Sequence, residues 1–164
     1  MGKKSAGILL YRKRNKQLEV LLVHPGGPFW AKKDVGAWSI PKGEFEEGED
    51  ALAAAKREFE EELGKKVSAT SFQELAPVKS KSNKTVIAFA ANEDFDTTNI
   101  TSNLIWIDWP PRLGKRIQVP EVDRAEWFNI EAAREKIIGY QLPLMTIWLS
   151  FRKESISDKQ SLYN

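Results

Sequence analysis

Cysteine is absent from this chain of 164 residues, and histidine occurs once, at His24. Without thiols, disulfide frameworks, zinc-thiolate sites and cysteine nucleophiles are excluded. A single imidazole excludes a His-rich zinc centre, and a Ser-His-Asp triad would have to run through His24, around which no local pattern supports one. Long hydrophobic runs are missing as well. No stretch reaches the roughly 18 apolar residues of a membrane span, and the opening MGKKSAGILLYRKRN holds too short an apolar run for a signal peptide. A soluble, cytoplasmic protein with no membrane partner is the expectation. The length suits one domain whose core needs no cross-links.

What the chain does have is acid in one place. The run GEFEEGEDALAAAKREFEEELG, from Gly43 to Gly64, carries nine acidic side chains against Lys56 and Arg57, although the whole chain has a net charge of +2. The remainder holds 23 Lys and Arg against 14 acids. This division suits a polyanionic substrate held by basic residues around a cation-loaded carboxylate cluster, because a divalent ion inverts the local electrostatics. The basic clusters at Lys3–Lys4, Arg12–Lys16, Lys79–Lys84 and Arg112–Arg116 are dispersed. No stable nucleic-acid partner is expected from them.

Hydrophobic patterning predicts strands over Ser5–Tyr11 and Leu18–Val23, joined as a hairpin, then a long ordered loop, HPGGPFWAKKDVGAWSIP, with a brief extended piece near Trp38–Ile40. A helix is predicted from about Asp50 to Gly64, with Leu52, Ala55, Phe59 and Leu63 as its apolar stripe and Arg57, Glu58, Glu61 and Glu62 pointing away from it. Small Ala51 or Ala55 would let that helix approach a sheet closely. Further strands are expected over Val67–Leu75, Thr85–Ala91 and Leu104–Trp109, with an extended segment over Glu121–Phe128. Helices are expected over Ile130–Gly139 and Leu142–Phe151, the latter with Pro143 in its first turn. Strands on both sides of a central helix point to a layered α/β domain over residues 1–154, followed by a flexible tail over 155–164.

At the helical period of about 100° per residue, Glu58 and Glu62 stack one turn apart with Glu61 beside them. A solvated helix face is the plain account of such a pattern, and the i,i+4 repulsion costs only about 0.2–0.5 kcal/mol. It leaves the preceding PKGEFEEGE unexplained, where Gly43 and Gly48 permit a compact loop that brings Glu49 and backbone carbonyls toward the helix. Converging carboxylates bind hard Mg²⁺ or Mn²⁺ through oxygen, with water and substrate phosphate completing the shell. Such an ion serves phosphoryl or pyrophosphoryl transfer without a covalent nucleophile.

The spacing of these residues resembles the box of the Nudix hydrolase family: Gly43, five residues, Glu49, seven residues, Arg57-Glu58, Phe59, any residue, Glu61-Glu62, any residue, Gly64. Lys65 departs from the pattern, which prefers an apolar residue there, and Val67 is the substitute for that core position. The resemblance implies a Nudix-like α/β/α sandwich with a mixed β-sheet and a Mg²⁺- or Mn²⁺-dependent pyrophosphohydrolase. It implies Glu58, Glu61 and Glu62 as metal residues with the Lys42 carbonyl as an additional ligand, and Arg57 paired with Glu49 in a structural role. Family members also draw a carboxylate from a distant loop, for which Glu121 is the first choice and Asp123 the second. The proton acceptor stays open among Glu61, Glu62 and Glu121.

Selectivity is expected from the loop before the box. Trp30 is the expected ligand contact, with Phe29 as a second ring, whereas Trp38 belongs to the packed foundation. Lys42 is expected on substrate phosphate, with Lys32 and Lys33 as further counterions, and His24 either binds substrate or caps the sheet. Trp106 and Trp109 are expected in sheet packing with an edge toward a pocket, and Trp127 and Trp148 in the core. Pro41-Lys42-Gly43 resembles the dinucleoside tetraphosphate hydrolase branch, which favours a nucleoside or dinucleoside polyphosphate as the phosphate-rich substrate. ADP-ribose, a nucleotide sugar, or a catalytically silent nucleotide-binding module are the alternatives. Oligomeric state does not follow from these residues.

Overall fold

The computed structural model describes residues 2–161, with side chains through Arg152. Strands β1 (Lys4–Arg14) and β2 (Gln17–Pro25) form an antiparallel hairpin through Asn15 and Lys16, both at positive φ, the geometry that a two-residue turn demands of its central pair. Both strands run longer than the apolar segments alone predict, because pairing carries the polar ends along. Next come β3 (Lys42–Glu44), α1 (Ala51–Leu63), β4 (Gln73–Glu74), β5 (Val78–Lys79), β6 (Thr85–Asn92), the pair β7 (Leu104–Asp108) and β8 (Arg116–Pro120), β9 (Val122–Asn129), α2 (Ile130–Lys136) and α3 (Leu142–Ser161).

The main sheet has seven strands in the order β4-β6-β1-β2-β9, with β3 pairing on β1 and β5 on β6. β1 and β6 are parallel and the other pairs antiparallel, so the sheet is mixed. Alternate residues of β1 and β2 enter opposite cores, as the period of a strand requires. Ile8, Leu10 and Leu21 pack with Ala54, Ala55, Phe59 and Leu63 of α1. Leu9, Val20 and Leu22 pack on the other face with Ala133 of α2 and Leu144, Met145 and Trp148 of α3. The result is helix on both sides of a mixed sheet, the expected sandwich. Among the described residues no helix is long and apolar enough to cross a membrane.

Helix α1 keeps its expected limits. The Asp50 carboxylate accepts from the Ala53 amide at 2.9 Å, and Gly64 closes the helix at φ 81°. Elsewhere the structure departs from the pattern. The strand expected over Val67–Leu75 shrinks to β4, because the Ser68 and Ala69 amides donate to the Glu93 carboxylate at 2.6 and 2.7 Å instead of to a ladder. β8 was hidden behind the basic residues at Arg116 and the polar Gln118, although Ile117 and Val119 alternate with them. Trp106 is 56% exposed rather than packed in a sheet, since the β7–β8 pair stands apart from the main sheet and leaves one face open. Trp148 is buried as expected, whereas Trp127 is half-buried with its indole N–H donating to the Phe95 carbonyl at 2.9 Å. α3 continues past the expected end at Phe151, into the segment expected to be a tail; residues 162–164 of that segment lie outside the described residues.

Phe59 pins α1 to the sheet, fully buried and edge-on to Phe95 with ring centroids 5.1 Å apart. Phe59→Ala is expected to lower unfolding free energy by about 3–5 kcal/mol in denaturant titrations.

Candidate active site

Sequence periodicity placed Glu58 and Glu62 on the solvent side of α1. The structure turns both inward, leaving Glu58 9% and Glu62 4% exposed. The reason is β3. It pairs with β1 beside the helix, with Gly7 opposite Lys42 and Ser5 opposite Glu44, and covers the edge of the helix that periodicity reads as solvated. Gly43 makes the approach possible: a Cβ there would stand 2.0 Å from both Cδ and Oε2 of Glu58. Only a residue without a side chain leaves room for that carboxylate.

Arg57 ties this segment together. Its guanidinium donates to the Glu49 carboxylate, to Glu58 Oε1 at 3.2 Å and to the Glu44 carbonyl at 3.4 Å, with Glu61 Oε1 at 3.8 Å from Nε. One planar fork therefore bridges the loop and the helix. Glu61 itself remains exposed, so the expected convergence of three glutamates divides into two buried carboxylates and one in solvent beside Arg57.

Beside Glu62 a cleft of about 220 Å³ opens, walled by Lys42, Glu121, Trp30, Tyr140 and Gln141. Glu121 reaches it through a brace absent from the sequence reading. The Asn103 amide donates to the Glu61 carbonyl at the end of α1 at 2.8 Å, the Asn103 carbonyl accepts from the Glu121 amide at 3.0 Å, and Asn103 Nδ2 donates to Glu121 Oε1 at 3.1 Å. Ser102 Oγ accepts from the Val122 amide at 3.0 Å. Asn103 thus couples the helix end to a carboxylate on the far side of the cleft. No local sequence signal marks that role, since a Ser-Asn pair before a strand also reads as an ordinary loop.

Asp123, the second choice for the distant carboxylate, faces elsewhere. Its Oδ1 lies 2.8 Å from Nδ1 of His24, whose Nε2 lies 2.6 Å from the Lys33 carbonyl. His24 is fully buried in this bridge and anchors the loop to the sheet, so of the two roles open to it, substrate contact and a cap on the sheet, the geometry provides the structural one. Trp38 is also buried, consistent with a packed foundation. Lys32 is exposed and absent from the walls of the cleft, and the Lys33 ammonium sits over the Phe29 ring at 3.6 Å. Buried Gln141, equally unmarked in the sequence, accepts from the Ile40 amide at 3.1 Å and donates to Ser39 Oγ at 2.9 Å, fixing the chain just before Lys42.

Burial pushes the Glu62 carboxyl well above the usual carboxylate range; Glu121 and Glu58 push it further, while the Lys42 ammonium and backbone amide oppose. Burial likewise raises Glu58, with Glu61 and Glu121 adding to the effect and Arg57 opposing it. Glu62 Oε2 is buried without a hydrogen-bond partner among the described residues. No three His, Cys, Asp or Glu side chains form a ready metal cage among the described residues. The donor chemistry nevertheless fits a hard divalent cation, which would satisfy the orphaned oxygen and offset the mutual repulsion of Glu58, Glu62 and Glu121.

Residues 1–146 match the family model described as NUDIX domain. An mRNA-decapping protein of African swine fever virus is 31% identical over 101 residues, a match covering 59% of this chain and 39% of the viral protein. The chain therefore spans well under half the length of that relative. Among solved structures, a binary complex of the Caenorhabditis elegans Ap4A hydrolase is similar with a TM-score of 0.64 at 24% identity, covering 93% of this chain and 98% of that one. The NUDIX domain of Shewanella oneidensis NrtR, complexed with ADP ribose, is similar with a TM-score of 0.61 at 15% identity, covering 93% and 88%. At these identities the two structures speak for the fold.

Two measurements probe the buried carboxylates. Gly43→Ala is expected to expel the Glu58 side chain and to cost about 1–3 kcal/mol in denaturant unfolding. For Glu62, the folded carboxyl keeps its proton to higher pH than the unfolded one, whose value is 4.5. The metal-free protein then has the associated stability below the unfolded value and loses it as pH rises through the raised folded value. In chelator, Glu62→Gln is expected to melt above wild type at about pH 8, with the gap closing toward about pH 4.5.

Proposed function

The chain belongs to the Nudix family, and from that premise we propose that it is a pyrophosphohydrolase that cleaves a diphosphate linkage in a nucleoside or dinucleoside polyphosphate with Mg²⁺ or Mn²⁺. The observation that carries this reading is the pair of buried carboxylates, Glu58 and Glu62, held against Gly43 beside the cleft that Lys42 and Glu121 share. Two buried carboxylates are costly to keep charged even with Arg57 against Glu58 and Lys42 near Glu62, and a solvated acidic face would not enclose them.

Glu58, Glu62 and Glu121 would hold the divalent cation, with the exposed Glu61 and the Lys42 carbonyl as further oxygen donors. When bound, such an ion neutralises phosphate oxygens and acidifies water. The Lys42 side chain lies in the same wall and supplies a positive charge to the substrate phosphates. Arg57 acts on the site indirectly: by gripping Glu49, Glu58 and the Glu44 carbonyl, it holds the loop that carries Gly43. Asn103 orients Glu121 across the cleft. The proton from the attacking water passes to one of the acids beside the cleft, Glu61, Glu62 or Glu121, and the pH-rate profiles of their Gln variants assign which.

Trp30 walls the cleft and supplies a flat apolar surface for a nucleoside. Lys32 stays in solvent, so its part is restricted to attracting polyanions from a distance.

The test is metal-dependent release of phosphate products from dinucleoside polyphosphates, nucleoside triphosphates, ADP-ribose and nucleotide sugars. Wild type is expected to turn over at least one polyphosphate with Mg²⁺ or Mn²⁺, and Glu58→Gln or Glu62→Gln to lower kcat at least roughly 100-fold while the fold persists. Mg²⁺ or Mn²⁺ is expected to raise the Tm of wild type at neutral pH and to leave Glu62→Gln nearly unmoved. Absence of turnover across the panel, with metal bound, would overturn the reading in favour of a silent nucleotide-binding module.

A further inference from the structure

A second cleft adjoins the first. Pro25, Trp30 and Glu121 belong to the walls of both, so a ligand lying across Glu121 would reach each side. The second space, of about 380 Å³, lies between the loop after β2 and the β7–β8 pair. It falls within the roughly 300–1,000 Å³ of ordinary small-molecule sites.

This cleft is built by a segment outside the acidic box. Ile105, Ile107 and Trp109 alternate along and just beyond β7 and turn one face toward it, while Leu104 and Trp106 on the opposite face stay exposed. The Trp109 amide donates to the Lys115 carbonyl at 3.0 Å, which closes the end of the pair over its basic turn. Gly26 sets how near the pair comes to the loop: a Cβ there would stand 2.0 Å from the Pro120 carbonyl oxygen, and the Gly26 amide donates to the Glu121 carbonyl at 3.0 Å. Close backbone contact holds the cleft open at a defined width.

The lining chemistry narrows the occupant. Phe29, Trp30 and Trp109 supply ring surfaces; among the described residues no Lys or Arg lines the walls, and the Lys33 ammonium is held over the Phe29 ring at 3.6 Å. The charged side chains present, Asp108 and Glu121, are acids. A phosphate would be repelled there, and the many hydroxyls of a free sugar would find few partners. A flat ring with N–H donors at its edge satisfies both the aromatic walls and the carboxylate of Asp108.

We propose that this second cleft seats the distal nucleobase of a dinucleoside polyphosphate, whose phosphate chain crosses Lys42, Glu62 and Glu121. This deepens the function proposed above and rests on it for the position of the phosphates. Trp109 and Phe29 are then the residues that separate two-headed substrates from nucleoside triphosphates and ADP-ribose.

Binding tests this apart from turnover. Isothermal titration of the full chain with methylene-bridged analogues of diadenosine tetraphosphate and of ATP, in Mg²⁺, is expected to show the two-headed analogue binding roughly tenfold or more tightly, as stacking of one base provides. Trp109→Ala is expected to erase that difference and Trp109→Phe to retain most of it. Phe29→Ala, at a position 52% exposed and therefore without risk to the core, is expected to reduce it as well. Equal affinity of the two analogues in wild type, or a difference that survives both Trp109→Ala and Phe29→Ala in folded protein, would overturn the inference. The hydrolase reading fails separately, through absent turnover by a chain that still discriminates the analogues.

Discussion

Two carboxylates buried between a helix and a strand set the terms for the rest of this structure. Glu58 and Glu62 lie on the margin of the α1 face that also buries Ala54, Ala55, Phe59 and Leu63, so apolar packing on one side forces acidic groups into the crevice on the other. Desolvation alone disfavours their charge; Glu121 adds to this at both, Glu58 at Glu62, and Glu61 at Glu58. The chain meets this with Gly43, whose missing side chain admits the Glu58 carboxylate, and with Arg57, which binds Glu58 and Glu49 together. What these leave unmet, above all Glu62 Oε2, which has no hydrogen-bond partner among the described residues, is the demand that the proposed divalent cation would satisfy.

The remaining parts of the site come from distant stretches of chain, and the mixed sheet brings them together. β1 is central: it carries β3 on one side through antiparallel pairing and lies parallel to β6 on the other. β2 pairs with β9, which sets Glu121, the residue before β9, against the loop that leaves β2. Ser102 and Asn103 then fasten that junction to the end of α1. His24 and Asp123, both plausible as reactive groups from their residue types, are used to hold the long loop over the sheet. That anchoring places Trp30 between the two clefts.

The acidic box was legible because its constraints are local. Helix limits, the cap at Asp50, the left-handed Gly64 and the pairing of Glu49 with Arg57 all lie within one loop and one helix. The strands β1, β2, β6 and β7 were legible for a similar reason, as apolar runs of strand length, and β9 as an extended segment of mixed character. β8 was not, since its inward Ile117 and Val119 are masked by basic and polar neighbours, and neither was β3, whose Lys-Gly-Glu has no strand character of its own. Such strands exist because a partner strand supplies hydrogen bonds, which is information from elsewhere in the chain.

Residue types and their spacing were open to reading in one dimension: hard oxygen donors at helical spacing, no thiol, one imidazole, and an excess of basic residues outside the box. Folding in three dimensions settled which carboxylates are buried, that Glu121 rather than Asp123 reaches the cleft, and that a second, aromatic cleft stands beside it. The physical reason is that periodicity states which residues share a face of one element. Burial, orphaned polar atoms and the width of a cleft depend on what packs against that face, and Gly26 and Gly43 show their purpose only when Pro120 and Glu58 arrive beside them.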